Sequence, residues 1–184
     1  MNFIDLIFIL LLLGGLALGF FQGTIKLIIA IVAFYVGIVL ASLYFLIVGD
    51  FFRRRFASTP QVGQITAFAL ILLVSFLLLL IAGLYTFRYA RIPASLDFLD
   101  RVVGSLLGLI LGALFLGMLA IVLAKLFIER DVAGAIDFPV MGFLQTRIRT
   151  SFLLPYFRDY ILPLIYSSVR PVLPREADII FTTR

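Results

Sequence analysis

The sequence contains neither cysteine nor histidine. Without cysteine the chain can form no disulfide, no thiolate metal site and no cysteine nucleophile. Without histidine it lacks the usual general base and the commonest transition-metal ligand. A serine–lysine dyad or a carboxylate site is the catalytic chemistry left open. We therefore expect no cofactor, no metal and no catalytic site, and we expect that the protein is not an enzyme.

Charged residues are also scarce. They make up 14% of the 184 residues, whereas hydrophobic residues make up 64% and the mean hydropathy is +1.22. A soluble domain has about 25% charged and about 45–50% apolar residues. The apolar excess predicts an integral membrane protein with the lipid bilayer as its partner. Basic side chains lie at the ends of apolar stretches, where they contact lipid head groups, so we expect no nucleic-acid partner.

Four long apolar runs follow one another through residues 1–125. We predict transmembrane helices over residues 3–21, 27–49, 64–87 and 102–124. The second and fourth runs each contain 23 uncharged residues. Such a run makes roughly 34 Å of α-helix, against a hydrocarbon core of about 30 Å. Residues 1–125 are thus predicted to form a four-helix transmembrane domain in an all-α protein.

The tail, residues 126–184, has a different character because it carries seven arginines and six acids. Its segment 152–166 places apolar and aromatic residues at helical spacing, with Arg158 and Asp159 beside that stripe. We predict an amphipathic, partly flexible tail whose 152–166 segment lies in the membrane interface. The alternative is a fifth span, which would put Arg158 and Asp159 in the middle of the membrane. The basic residues do not decide which side of the membrane holds the N-terminus.

Two runs place glycine at every fourth position, at the end of the first predicted helix and at the start of the fourth. They comprise Gly15, Gly19 and Gly23, and Gly104, Gly108 and Gly112. Glycines four residues apart drift only about 40° around a helix, so each run forms a flat groove. Both grooves lie at the same side of a four-span protein, and close backbone approach is a main source of packing energy in lipid. We predict that the grooves pack against each other or that one of them mediates self-association.

The second glycine run lies within a longer motif. Residues 99–112 read LDRVVGSLLGLILG, which resembles the L-D-R-x-x-G-x-x-x-G motif of the colicin V production protein (CvpA-like) family. Asp5 and the sequence GFFQG at residues 19–23 resemble the opening of that family. Where family members usually carry arginines, in the first hairpin and before the last glycine of the motif, this chain has Phe21, Gln22 and Leu111. The resemblance implies four spans followed by a tail.

The resemblance also implies a function. The family is associated with colicin V production or export and with envelope homeostasis in bacteria, and it has no established catalytic activity. This implies a multi-pass accessory or scaffold protein of the bacterial cytoplasmic (inner) membrane. Its partners would be other membrane proteins or further copies of itself. The sequence identifies no small-molecule substrate.

The residues themselves raise two other possible functions. One is a small oligomeric channel or transporter component, although transporters usually carry ionisable residues at mid-depth. Residues 27–49, 66–87 and 102–124 contain none. The other is an intramembrane hydrolase, which would need a base within reach of a nucleophile such as Ser75. Ser75 has no ionisable neighbour in the sequence, so we do not expect hydrolysis.

Asp100 and Arg101 have two interpretations. In the first, Asp100 or Asp97 caps the fourth helix while the Arg101 side chain extends to the head groups. In the second, Asp100 and Arg101 form a contact site for a partner protein. The two interpretations are compatible with each other, and the sequence alone leaves both open.

Overall fold

The apolar runs fold as α-helices because backbone N–H and C=O groups in lipid must find partners within their own segment. The computed structural model describes residues 2–56, 60–90, 93–127 and 150–172. Four long helices lie within these ranges, all long and apolar enough to cross a membrane. They are α1 (Phe3–Gln22), α2 (Thr24–Phe56), α3 (Pro60–Thr86) and α4 (Asp97–Phe127). The prediction of an all-α membrane protein with four spans is confirmed.

The second helix is longer than the apolar run that predicted it. It contains 33 residues, which corresponds to roughly 50 Å and exceeds the hydrocarbon core of about 30 Å. Its last turn carries Arg53, Arg54 and Arg55, where cations interact favourably with the C-terminal end of the helix dipole. The excess length therefore carries the three arginines away from the membrane centre.

Alternating spans place the helix ends on two faces of the domain. We call the face that holds the start of α1 and the end of α2 the Asp5 face. The face that holds the end of α1 and the starts of α2 and α4 is the Asp100 face. On the Asp100 face Gly23 alone separates α1 from α2, and its φ of +78° is one that glycine adopts at little cost.

The four helices pack as two pairs, and only one of these pairs consists of helices that are adjacent in the sequence. The first helix packs mainly against α4, and α2 packs mainly against α3. Contacts between α2 and α4 join the two pairs. At this junction the ring of Phe34 lies 6.0 Å from that of Phe76, edge to face, and 4.9 Å from that of Phe115. The centre of the domain is therefore aromatic and apolar.

The described part of the tail packs against this domain. It contains the short helix α5 (Leu153–Tyr156), a π-helical turn (Phe157–Ile161), the helix α6 (Leu162–Val169) and a final 3-10 turn (Arg170–Val172). The π turn ends two residues before Pro163, which lacks the backbone N–H needed to continue a regular helix. The Leu162 N–H donates instead to the carbonyl of Phe157, five residues back.

The two sides of the tail helix differ in their surroundings. The buried side contacts α1, α2 and α4 and consists of Leu154, Phe157, Leu162, Ile165 and Val169. The opposite side leaves Tyr156, Tyr160 and Leu164 exposed. The segment starts at the Asp5 face and ends beside α2, where the Tyr35 hydroxyl donates a 2.8 Å hydrogen bond to the Ser168 carbonyl. Of the tail that is predicted to be partly flexible, residues 128–149 and 173–184 lie outside the described ranges.

A labelling experiment tests the assignment of the two faces, and the absence of native cysteine makes it simple. Single cysteines at Gln22 and Ser95, both exposed on the Asp100 face, should react with a membrane-impermeant maleimide from the same side of the membrane. A cysteine at Arg54 should react only from the other side. Equal labelling of Gln22→Cys and Arg54→Cys from one side would contradict the four-span arrangement.

Candidate functional site

The two glycine runs meet along the contact between α1 and α4. A β-carbon added at Gly108 would collide with the carbonyl oxygen of Gly15 and would lie 3.0 Å from the Gly19 Cα. One added at Gly19 would collide with the carbonyl oxygen of Gly104. We call these four residues the glycine seam. The two backbones touch along it, which is the close approach that small residues permit in lipid.

The predicted packing glycines are not equivalent. A β-carbon at Gly112 would meet nothing closer than the Leu12 Cδ2, 3.7 Å away, which is ordinary van der Waals contact. One at Gly15 would lie 2.8 Å from the carbonyl oxygen of Gly108. Gly14, next to Gly15 but outside the seam, has nothing within 4 Å of such a β-carbon. A β-carbon would therefore clash with backbone atoms at the seam positions, but it would fit at Gly112.

On the Asp100 face the seam ends in a helix-capping contact. Asp100 Oδ1 accepts a 2.7 Å hydrogen bond from the Thr24 backbone N–H, and the Thr24 hydroxyl donates to the Asp100 carbonyl at 3.0 Å. Thr24 is the first residue of α2, where N–H groups lack partners within the helix and the dipole favours a carboxylate. Asp100 thus caps α2, whereas the sequence predicts that Asp100 or Asp97 caps α4.

Gly23 completes this contact. A β-carbon at Gly23 would collide with Asp100 Oδ2, and the positive φ of Gly23 disfavours other residues as well. The LDR motif and the last glycine of the first run are therefore parts of one junction. It fixes the end of α1, the start of α2 and the first turn of α4 relative to one another.

Arg101 and Asp97 form a separate pair on the surface. Arg101 Nη2 lies 2.9 Å from Asp97 Oδ2, and both side chains are about half exposed, at 46% and 61%. The guanidinium carbon also lies 5.8 Å from the centre of the Phe20 ring. Exposed ion pairs contribute about 0–1 kcal/mol to stability. Arg101 therefore remains accessible to head groups or to a partner, and its contact role stays a prediction.

On the opposite face Asp5 is 1% exposed and joins α1 to the tail. Its Oδ2 accepts a 2.8 Å hydrogen bond from the Asn2 N–H, which closes the capping box of α1. Its Oδ1 accepts from the Ser151 hydroxyl at 2.6 Å and from the N–H groups of Phe152 and Leu153, each at 3.0 Å. One carboxylate therefore caps the N-termini of two helices.

Further contacts support this junction. Ser151 Oγ accepts a 3.2 Å hydrogen bond from the Leu154 N–H, and the Asn2 amide donates to Thr150 Oγ1 at 2.7 Å. One turn deeper, the Phe8 and Phe157 rings pack edge to face with their centres 5.6 Å apart. The sequence reasoning did not assign Asp5 a contact with the tail. The available signal was a charged residue inside an otherwise apolar run, which usually has a named partner.

Ser75, the nucleophile considered for an intramembrane hydrolase, also makes a structural contact. The Ser75 hydroxyl donates to the carbonyl of Ile71 at 2.6 Å and lies 3.2 Å from that of Leu72, so it bonds to its own helix as expected for a lone serine. Among the described residues no group of three acidic, histidine or cysteine side chains is placed to hold a metal ion. The geometry therefore builds two helix-capping junctions, one at Asp5 and one at Asp100, and the glycine seam adjoins the one at Asp100.

The two carboxylates at the centre of these junctions, Asp5 and Asp100, lie in the part of the sequence that matches a known protein family. The family model described as colicin V production protein matches residues 4–161. The match includes Asp5, both glycine runs and the tail through the π turn. No curated protein and no solved structure matches the chain. Since the family model covers most of the sequence, this multi-pass membrane protein belongs to the colicin V production protein family.

Proposed function

We propose that the protein is a non-catalytic accessory protein of the bacterial inner membrane. It scaffolds other membrane proteins during production or export of a colicin V-type toxin and contributes to envelope homeostasis. The observation that carries the proposal is the family match over residues 4–161. The arrangement of four helices long and apolar enough to cross a membrane supports the location.

The use of polar groups also supports a scaffold. Asp5 holds the tail and Asp100 holds the start of α2. Ser105 donates to the carbonyl of Val102 at 2.8 Å within its own helix. The two aspartates fix helices relative to one another, as a rigid platform for partners requires, and Ser105 is satisfied within its own helix.

The surface available to partners is broad and apolar. Helix α1 packs mainly against α4, and α3 packs mainly against α2, so each leaves a wide lipid-facing surface. On α1 this surface includes Leu10, Leu13 and Leu18, and on α3 it includes Leu73, Leu78 and Ile81. A partner helix could pack against either surface without entering the core.

A deletion and complementation experiment tests the function. In a bacterium that carries the gene and a colicin V plasmid, deletion should reduce the toxin activity released into the medium and raise sensitivity to detergents. The wild-type gene and Gly112→Ala should restore both, whereas Gly108→Leu should not, because only Gly108 lies in the closely packed seam. Unchanged toxin release and unchanged detergent sensitivity after deletion would contradict the proposal.

Photo-crosslinking separates the scaffold from the oligomeric channel. Crosslinkers at the exposed positions Leu13 of α1 and Leu78 of α3 should capture other membrane proteins in native membranes. Capture of further copies of this chain alone would favour the channel or transporter component instead. The same crosslinkers in purified protein provide the control for self-association.

A further inference from the structure

A cleft of about 710 Å³ opens on the Asp100 face between the start of α2, the end of α3 and the start of α4. Four charged side chains line it, which are Lys26, Arg88, Asp97 and Asp100. Volumes of about 300–1,000 Å³ are typical of sites for small ligands. The cleft lies where the four spans end, at the depth of lipid head groups.

The carboxylates of the cleft already have partners within the protein. Asp100 accepts from the Thr24 N–H and Asp97 pairs with Arg101. Within the described parts of the chain, neither Lys26 nor Arg88 lies within ion-pair distance of a carboxylate. The Arg88 guanidinium carbon lies 4.8 Å and 4.6 Å from the centres of the Tyr85 and Tyr89 rings. Among the described residues, the cleft therefore contains two cations that form no ion pair, Lys26 and Arg88, beside two carboxylates that already have partners.

An apolar groove of about 430 Å³ adjoins the cleft and shares Ile25, Ile29 and Phe87 with it. The groove runs between α2 and α3 and is lined further by Val32, Val36, Leu79 and Gly83. From Lys26 to Val36 the helix rises by roughly 15 Å, which is half of a hydrocarbon core of about 30 Å. The groove therefore extends from the head-group level through about one leaflet, to the middle of the bilayer.

We infer that the cleft and the groove together bind a phospholipid with an anionic head group. The phosphate lies against Lys26 and Arg88, and one acyl chain fills the groove along α2 and α3. Basic pockets between transmembrane helices recognise lipid head groups in this way, and Tyr85 and Tyr89 have the side-chain chemistry preferred at that depth. A free phosphate would satisfy the charges but would leave the apolar groove unfilled.

Lipid titration of the purified full-length protein tests this site. In a mild detergent, phosphatidylglycerol should raise the thermal stability and remain bound in native mass spectrometry. Phosphatidylcholine and the head-group analogue glycerol 3-phosphate should do neither. Equal stabilisation by both lipids would overturn the anionic selectivity, and equal stabilisation by glycerol 3-phosphate would show a site for a free anion instead.

Two sets of variants locate the lipid. Lys26→Gln with Arg88→Gln should weaken phosphatidylglycerol binding about tenfold or more, whereas Arg53→Gln with Arg54→Gln on the Asp5 face should not. Val36→Phe should block the acyl chain, whereas Val74→Phe should not, because Val74 lies outside the groove and is 47% exposed. Wild-type affinity in both the Lys26/Arg88 double variant and Val36→Phe would overturn the assignment.

Discussion

Replacing Gly108 by leucine should separate α1 from α4 and lower the stability of the domain. A β-carbon at this position already collides with the Gly15 carbonyl oxygen and lies 3.0 Å from the Gly19 Cα. These neighbours are backbone atoms, so no side-chain rotation can relieve the contact. Overpacking of this kind costs about 1–3 kcal/mol, and leucine at a backbone contact belongs at the upper end. Thermal unfolding followed by circular dichroism in mild detergent measures the loss.

The chain supplies matched controls for this substitution. Gly14→Leu places the same side chain on α1 at a position where nothing lies within 4 Å of the new β-carbon, and it should unfold close to the wild-type temperature. Gly112→Ala should also be tolerated, whereas Gly19→Ala should not. If Gly108→Leu and Gly14→Leu unfold at the same temperature, the seam does not stabilise the domain.

Replacing Asp5 by alanine should release the tail from the transmembrane domain. The substitution removes the acceptor of four hydrogen bonds, one from Asn2 and three from residues 151–153. Donors left without a partner in a buried site cost about 1–3 kcal/mol each. Water can reach part of this junction, so we expect a total loss of about 2–4 kcal/mol. Asp5→Asn should lie between alanine and wild type because it keeps one carbonyl oxygen.

Hydrogen exchange distinguishes release of the tail from general unfolding. In Asp5→Ala the amides of residues 153–169 should exchange much faster, while those of α2 and α3 keep their protection. Asp50→Ala is the control, because Asp50 is exposed and its ion pair within the described ranges is a 3.6 Å contact with Arg53. Unchanged exchange of the tail in Asp5→Ala would show that apolar packing alone holds it.

The helices could be predicted from the sequence because each depends on a local pattern. Uninterrupted apolar runs specify spans, and the two glycine runs specify which helix surfaces can approach closely. The seam between α1 and α4 follows from these runs, together with the rule that four spans bring their ends to the same face. The LDR motif gave the family, which the match over residues 4–161 shows.

The two junctions could not be predicted because they join residues far apart in the chain. Asp5 and Ser151 are separated by 146 residues, and Thr24 and Asp100 by 76. Local rules place an acid near a helix start on the dipole of its own helix, so the sequence predicts that Asp100 or Asp97 caps α4. The actual partner of Asp100 is the start of α2, which only the packing of α1 against α4 brings close. The tertiary packing of α1 against α4 therefore determines which helix Asp100 caps.

The contact between Asp5 and Ser151 can form only late in the synthesis of the protein. The first helix enters the membrane carrying this carboxylate long before its main hydrogen-bond donors exist, since Ser151 is made 146 residues later. At about 5–20 residues per second that interval lasts roughly 7–30 seconds. During this time Asp5 has only the capping box of its own helix, so it must stay near water at the membrane surface. The carboxylate becomes buried only when residues 151–153 have been synthesised and donate their hydrogen bonds to it. The tail therefore completes the packing around the start of α1.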